Sequence, residues 1–421
     1  MRSPIPDYLL EVLDSCGADG GALADYIPEL AAADPDQFGI CVATVDGTVY
    51  AAGDADVEFT IQSMSKPFTY ALALADRGSR AMNERVGVEP SGEAFNEISL
   101  DPETGRPRNA MINAGAILTH SLVDGEDGAA RSERIRAGFS QFAGRDLVVD
   151  EGAFSSELET AHRNLGMAHL LKASRTLDCD PVEVIAGYTR QCSIRVSCRD
   201  LALMAATLAN AGVHPQTQHA LLTRSVVRQV MSVMMTCGMY DAAGDWMTDV
   251  GIPAKSGVSG GVIGALPGQV GIAVFSPRLD AHGSSVRGVE AFKRLSSDMG
   301  MHLMDVAQEG RAALRGSYVV DGDEPVTVYE LQGDLRFAGA ETVIRALAAS
   351  EHATKRVVLD LSRVYRLHDV GQRMLLESIR RLGEDGLDVI VVDPERALRD
   401  TASLDLEGLL VVDTLDAALV R

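Results

Sequence analysis

Apolar and polar positions change rhythm several times along this chain. Residues 5–32 read as helical, with Leu9, Leu10, Val12 and Leu13 on one apolar face and Gly20-Gly21 as an interruption. Two short strand-like runs follow, at 38–45 and 48–52, and Asp46-Gly47 between them is a hairpin signal. Residues 59–62 predict a further short strand, and the apolar run 70–75 predicts a helix. Residues 85–120 are rich in turn formers: 88–96 read as a loop, and 106–117 lead into another helix. From 133 to 212 the pattern is helical and closes with the apolar helix 201–211. The helix 226–235 ends at Gly238, 252–264 is strand-like and dense in glycine, and 270–275 is a strand. These elements predict an α/β (α+β) domain whose sheet joins early and late strands around an inserted helical block.

After residue 315 the rhythm changes again. Residues 326–331 alternate as a strand, 338–349 predict a helix, and 356–361 predict a buried strand. A helix at 371–382, closed by Gly383, and a buried strand at 387–392 complete the series. Regular β-α-β units predict an independent small α/β domain. The expected division is a domain over 1–308, a linker over 309–316 and a second domain over 317–421. A chain of 421 residues has room for two or three domains.

Charge and cysteine usage narrow the partners. A formal net charge of −22 argues against nucleic acid or an anionic membrane as partner, since no basic cluster offsets it. Cys16, Cys41, Cys179, Cys192, Cys198 and Cys237 form no CxxC pair and have no neighbouring histidines to suggest zinc. Reduced thiols in a cytoplasmic protein, with no metal and no cofactor, are expected. The N-terminal residues lack the apolar core of a signal peptide, and no stretch approaches the ~20 apolar residues of a membrane span.

The candidate chemistry starts at Ser63-Met64-Ser65-Lys66. Spacing of i, i+3 puts Ser63 and Lys66 on one helical face, whereas Ser65 points away. Pro67 is tolerated only in a first helical turn, so the helix should begin close to Ser63. The positive end of the helix dipole disfavours an ammonium, and a neutral lysine could take a proton from the serine hydroxyl. Further along, Asn109 and Asn113 flank a helix start, and capping alone would explain one of them. Glu157 and Asn164 lie seven apart, two turns along one helical face. The Gly-x-x-Gly-Gly of Gly257 to Gly261 is neither a phosphate-binding loop nor a dinucleotide fingerprint.

Together, Ser63-Met64-Ser65-Lys66 and Lys255-Ser256-Gly257 resemble the boxes of the serine β-lactamase and penicillin-binding-protein superfamily. More narrowly, the chain resembles the serine-dependent glutaminases. The resemblance runs through Ala24-Asp25-Tyr26-Ile27-Pro28, Gln62 to Lys66, Glu89-Pro90-Ser91-Gly92 with Phe95-Asn96, and Met111 to Ile117. It continues through Ser156-Glu157 with Arg163-Asn164, Met235 to Asp241, and Lys255 to Gly261. It implies a β-lactamase-like catalytic domain that hydrolyses L-glutamine to L-glutamate and ammonia through an acyl-enzyme, without metal. It implies Ser63 as nucleophile and Lys66 as its base, with Tyr240 and Tyr26 as proton relays. Asn113, Glu157, Asn164, Tyr188, Tyr240 and the Val258 backbone, with Ser63, would bind substrate. Whether lysine or tyrosine takes the first proton stays open. A homodimer or homotetramer is implied as well. Ser284 departs from the family's asparagine, and Pro67 from an aliphatic residue. A β-lactam-reactive relative and a glutamine sensor without turnover are the competing readings.

The last hundred residues resemble a STAS domain, on Arg356-Val357-Val358-Leu359-Asp360-Leu361-Ser362-Arg363-Val364 followed by a loop and helix. The family's phosphoacceptor motif reads here His368-Asp369-Val370-Gly371, with valine in the acceptor place. The resemblance implies a role in regulation or oligomerisation, without phosphorylation at that position.

Overall fold

The computed structural model describes residues 1–17, 20–92, 97, 100–305, 313–322, 324–350, 354–398 and 409–420. Phe95-Asn96 and residues 309–312 of the stretch 309–316 lie outside them. The chain divides into two compact units, Leu9–Arg294 and Met1–Tyr8 with Leu295–Arg421.

In the first unit a five-stranded sheet runs in the order Val49–Gly53, Gly39–Thr44, Val270–Phe275, Gly261–Leu266, Ala254–Ser256. Every pairing is antiparallel. Gly39–Thr44, Gly261–Leu266 and Val270–Phe275 are buried along their whole length, which is why they read as continuous apolar runs. The outer strand Val49–Gly53 alternates instead. Between early and late strands comes the helical block: Gly128–Ala143, Glu151–Thr160, His162–Ala173, Pro181–Cys192 and Cys198–Ala209. Cys198–Ala209 is buried at every position except Arg199 and starts in a capping box of Ser197 and Asp200. Asp200 also receives Arg145, so the cap's charge is paired.

Two helical expectations need correction. Residues 5–32 are not one helix: Ile5–Ser15 is followed by an isolated bridge at Ala22 and a single turn at Pro28–Ala31. Proline at the first position starts that turn, and the glycines upstream favour irregular backbone. Glu157 and Asn164 are not on one helix either. Ala161, at φ −70° and ψ 18°, separates Glu151–Thr160 from His162–Ala173.

The second unit holds a five-stranded sheet ordered Leu410–Val412, Asp388–Val392, Arg356–Leu367, Val326–Leu335, Leu314–Val320. The first four strands are parallel, and Leu314–Val320 pairs antiparallel at the edge. This edge strand begins inside the stretch read as linker. Its half-exposed pattern carries no clear alternation, so it was not legible as a strand. Helices Phe337–Ala349 and Asp369–Glu384 pack Val343, Leu347, Leu375 and Ile379 against Leu331, Val357, Leu359 and Val391. Gly383 does not close its helix. The helix runs to Glu384, and Gly386 takes the left-handed turn, φ +83°. Val370 is buried in the first turn of Asp369–Glu384, while Asp369 is exposed.

Candidate active site

Ser63 sits in a short 3-10 turn, Gln62–Met64, that runs directly into the helix Ser65–Arg85. Pro67 is the third residue of that helix, where no intrahelical N–H is needed. Gln62 adopts a left-handed conformation, φ +48°, unusual for a residue with a side chain. Ser63 is half-buried, whereas Lys66 is sealed, 1% exposed.

The Lys66 ammonium nitrogen donates to Asn113 Oδ1 at 2.7 Å and to the Tyr240 hydroxyl at 3.2 Å. Burial pulls its pKa down from 10.5 to about 7. Desolvation favours the neutral amine. Tyr240 is hydrogen-bonded to Ser63 as well, and burial pushes its phenol well above the ordinary value. Serine, tyrosine and lysine thus form a continuous chain. Tyr240 opens a 3-10 turn just after the helix Arg224–Cys237, with φ +56°. Gly238 makes this placement possible. A Cβ there would lie 1.9 Å from the Ala254 carbonyl oxygen, so only glycine lets the helix end approach the strand Ala254–Ser256. That strand carries Lys255, buried, whose Nζ lies 3.8 Å from the Tyr240 ring centroid and donates to the Ser256 carbonyl. Lys255 is also held well below its ordinary pKa, by burial and by Lys66.

Asn113 and Asn109 have separate duties. Asn109 Oδ1 accepts from the Met111 and Ile112 N–H groups and orders the turn before the helix Asn113–Leu122. Asn113 is free of that work, and its amide joins Lys66 to Asn164, donating to Asn164 Oδ1 at 3.1 Å. Glu157 lies alongside, accepting from Tyr26 Oη at 2.8 Å and from Gln62 Nε2 at 2.9 Å. Burial raises the pKa of Glu157. The hydrogen bond described for Tyr26 goes to Glu157, not to Ser63 or Lys66, and Tyr26 is 45% exposed. Tyr188 is buried on the helix Pro181–Cys192, beside Cys192, with its phenol pushed well up by desolvation. Val258 is in the turn after Lys255-Ser256-Gly257; Gly257 N donates to the Gly261 carbonyl and Gly260 N to the Gly257 carbonyl.

Gln62, Lys255, Gln191 and Ser65 were not singled out as site residues from the sequence. Gln191 Nε2 donates to Ser65 Oγ at 2.9 Å inside the protein. Among the described residues no helix is long and apolar enough to cross a membrane.

The antiparallel sheet with its helical insert thus holds a half-buried serine and a sealed lysine. The Glutaminase family profile matches residues 21–304, and the STAS domain profile matches residues 317–418. The chain belongs to the glutaminase family and carries a STAS domain. It is 49% identical to the Glutaminase of Corynebacterium glutamicum over 403 residues, covering 95% of this chain and 97% of that one. Among solved structures, Mglu in its glutamate form is 49% identical at a TM-score of 0.72, covering 94% of this chain and 100% of the other. A probable glutaminase from Bacillus subtilis complexed with 6-diazo-5-oxo-L-norleucine is 33% identical at a TM-score of 0.64, covering 71% and 94%.

Proposed function

We propose that this chain hydrolyses L-glutamine to L-glutamate and ammonia through an acyl-enzyme on Ser63, with Lys66 as general base. The observation that carries the reading is the chain Ser63–Tyr240–Lys66, ending in a buried amine whose pKa is about 7. Near neutral pH such an amine is partly unprotonated and can accept a proton. Tyr240, with its pKa raised, stays protonated and serves as the conduit. Ser63 Oγ attacks the side-chain carbonyl while its proton passes through Tyr240 to Lys66. The oxyanion faces the N–H groups of Ser63 and Val258. Collapse breaks the C–N bond, and the proton on Lys66 returns to the leaving nitrogen, which departs as ammonia. Water then attacks the ester and gives its proton to the same base; collapse breaks the bond to Ser63 Oγ, which takes that proton back, and glutamate is released.

Free glutamine carries an α-ammonium and an α-carboxylate. Glu157 offers a negative partner to the ammonium, and Asn113, Asn164 and Tyr188 supply donors for the carboxylate. Tyr26 acts on this substrate end, by orienting Glu157. A peptide lacks both charged groups and would leave these buried groups unpaired, which disfavours it. The test is ammonia release from L-glutamine, L-asparagine and D-glutamine by the full chain and by Ser63→Ala. Turnover of L-glutamine that disappears in Ser63→Ala supports the reading; turnover that survives refutes the nucleophile.

We place the catalytic domain over 1–308 and the STAS domain over 317–421, with the boundary within 309–316. The STAS domain serves oligomerisation or docking, and its buried Val370 offers no phosphoacceptor. Sedimentation of the full chain checks assembly as a dimer or tetramer. A cytoplasmic location fits the reduced thiols and is checked by cell fractionation.

A further inference from the structure

The turn that carries Ser63 is strained, because Gln62 holds a positive φ without being glycine. Such strain costs of order 1–3 kcal/mol and persists only when neighbouring structure holds it. One segment grips this turn from both sides. Upstream, Ile61 N donates to the Ile194 carbonyl at 2.8 Å, and Phe59–Thr60 pairs with Arg195–Val196. Downstream, Gln191 Nε2 donates to Ser65 Oγ at 2.9 Å. Gln191 Oε1 is taken by His120 Nδ1, also at 2.9 Å. Ser65, His120 and Gln191 are all buried, at 0%, 0% and 3% exposure.

This chain of three side chains joins three helices, and each helix delivers a different part of the site. Ser65–Arg85 carries Lys66, Asn113–Leu122 carries Asn113, and Pro181–Cys192 carries Tyr188. The amide of Gln191 is the central link, since it alone touches both other helices with hydrogen-bonding groups. With Gln191 Nε2 on Ser65, its Oε1 faces His120 Nδ1, which then donates to it. Among the described residues His120 Nε2 is buried without a partner, and burial lowers the pKa of the imidazole to about 4.

We infer that Gln191 is a positioning residue for catalysis: by holding Ser65 it keeps the Gln62–Ser63 turn and Lys66 in register with Asn113 and Tyr240. The hydrogen bonds described for its side chain go to Ser65 and His120, not to Ser63 or to a group placed around the substrate. The inference rests on the acyl-enzyme reading given above. Misplacement of a reacting group by an ångström can cost on the order of 100-fold in rate.

The test compares kcat, KM and thermal stability for L-glutamine among wild type, Gln191→Leu, Ser65→Ala, Ser65→Thr and the double variant Gln191→Leu/Ser65→Ala. Gln191→Leu and Ser65→Ala should each lower kcat about tenfold or more, with KM changed less than about threefold. The double variant should be no slower than the worse single one, since both break one link. Ser65→Thr keeps the hydroxyl and should retain most of the rate. A merely structural role would lower the melting temperature while leaving kcat of the folded enzyme within about twofold, or would give losses that multiply; either result overturns the inference. Ser65→Ala and Ser65→Thr decide the question by themselves if Gln191→Leu does not fold. Ser63→Ala, run alongside, separates the two levels. Activity surviving there refutes the acyl-enzyme reading, whereas loss there with full activity in folded Gln191→Leu and Ser65→Ala refutes this inference alone.

Discussion

Replacing Lys66 by methionine should abolish turnover and, below neutral pH, stabilise the fold. Lys66 is 1% exposed, and burial lowers its pKa from 10.5 to about 7. The folded state therefore disfavours the protonated form. Below pH 7 lysine is charged in both states and the full penalty applies; it fades as pH rises toward 10.5. By linkage the penalty is about 5 kcal/mol at pH 6 and about 2 kcal/mol at pH 9. Methionine removes it and fills a similar volume. Against this stand the hydrogen bonds to Asn113 and Tyr240, together worth about 2–3 kcal/mol. The net expectation is a gain of about 2–3 kcal/mol at pH 6 and no gain, or a small loss, at pH 9. At roughly 2–4 °C per kcal/mol for a large domain, the melting temperature at pH 6 should rise by about 4–12 °C. Thermal unfolding of both proteins at pH 6 and 9 reads the difference. A gain that grows with pH, or no gain at pH 6, would refute the argument that burial neutralises this lysine.

Asn113→Asp sets a carboxylate where Lys66 now meets an amide oxygen at 2.7 Å. The ammonium should be favoured and the acid limb of kcat/KM against pH, near pH 7 in the wild type, should move up by about 1–3 pH units. An unmoved limb would mean that another group titrates. Glu157→Gln removes the negative partner proposed for the α-ammonium and should raise KM for L-glutamine by about 30-fold or more, with kcat reduced less; steady-state kinetics would reveal it, and an unchanged KM would remove Glu157 from substrate binding. Gly238→Ala drives a methyl group to 1.9 Å from the Ala254 carbonyl oxygen and should cost both stability and activity, measured by unfolding and ammonia release.

The start of a helix close to Ser63 was legible because Pro67 limits where that helix can begin, a local property. The two duties of Asn109 and Asn113 were half legible, since one asparagine sufficed for the turn. What escaped the sequence lay across long separations. Nothing near Tyr26 says that its hydroxyl ends on Glu157, 131 residues away, and nothing near Gln191 points to Ser65, 126 residues away. The Glu157–Asn164 spacing suggested one continuous helix, yet a break at Ala161 stands between them. Short peripheral strands were missed for a different reason. Leu314–Val320 and Leu410–Val412 are half-exposed, so burial leaves no regular imprint on their residues.

The orientation of one amide carries a last consequence. Asn113 turns its oxygen to Lys66 and its NH2 to Asn164. An amide oxygen accepts a hydrogen from an ammonium and from an amine alike. Lys66 can therefore lose and regain a proton while this contact persists, with Asn113 unturned and Asn164 undisturbed. In the proposed reaction the base cycles between two charge states inside a scaffold already suited to both. The motion left to turnover at that point is the transfer of hydrogens, with no rotation of the heavy atoms that hold the lysine.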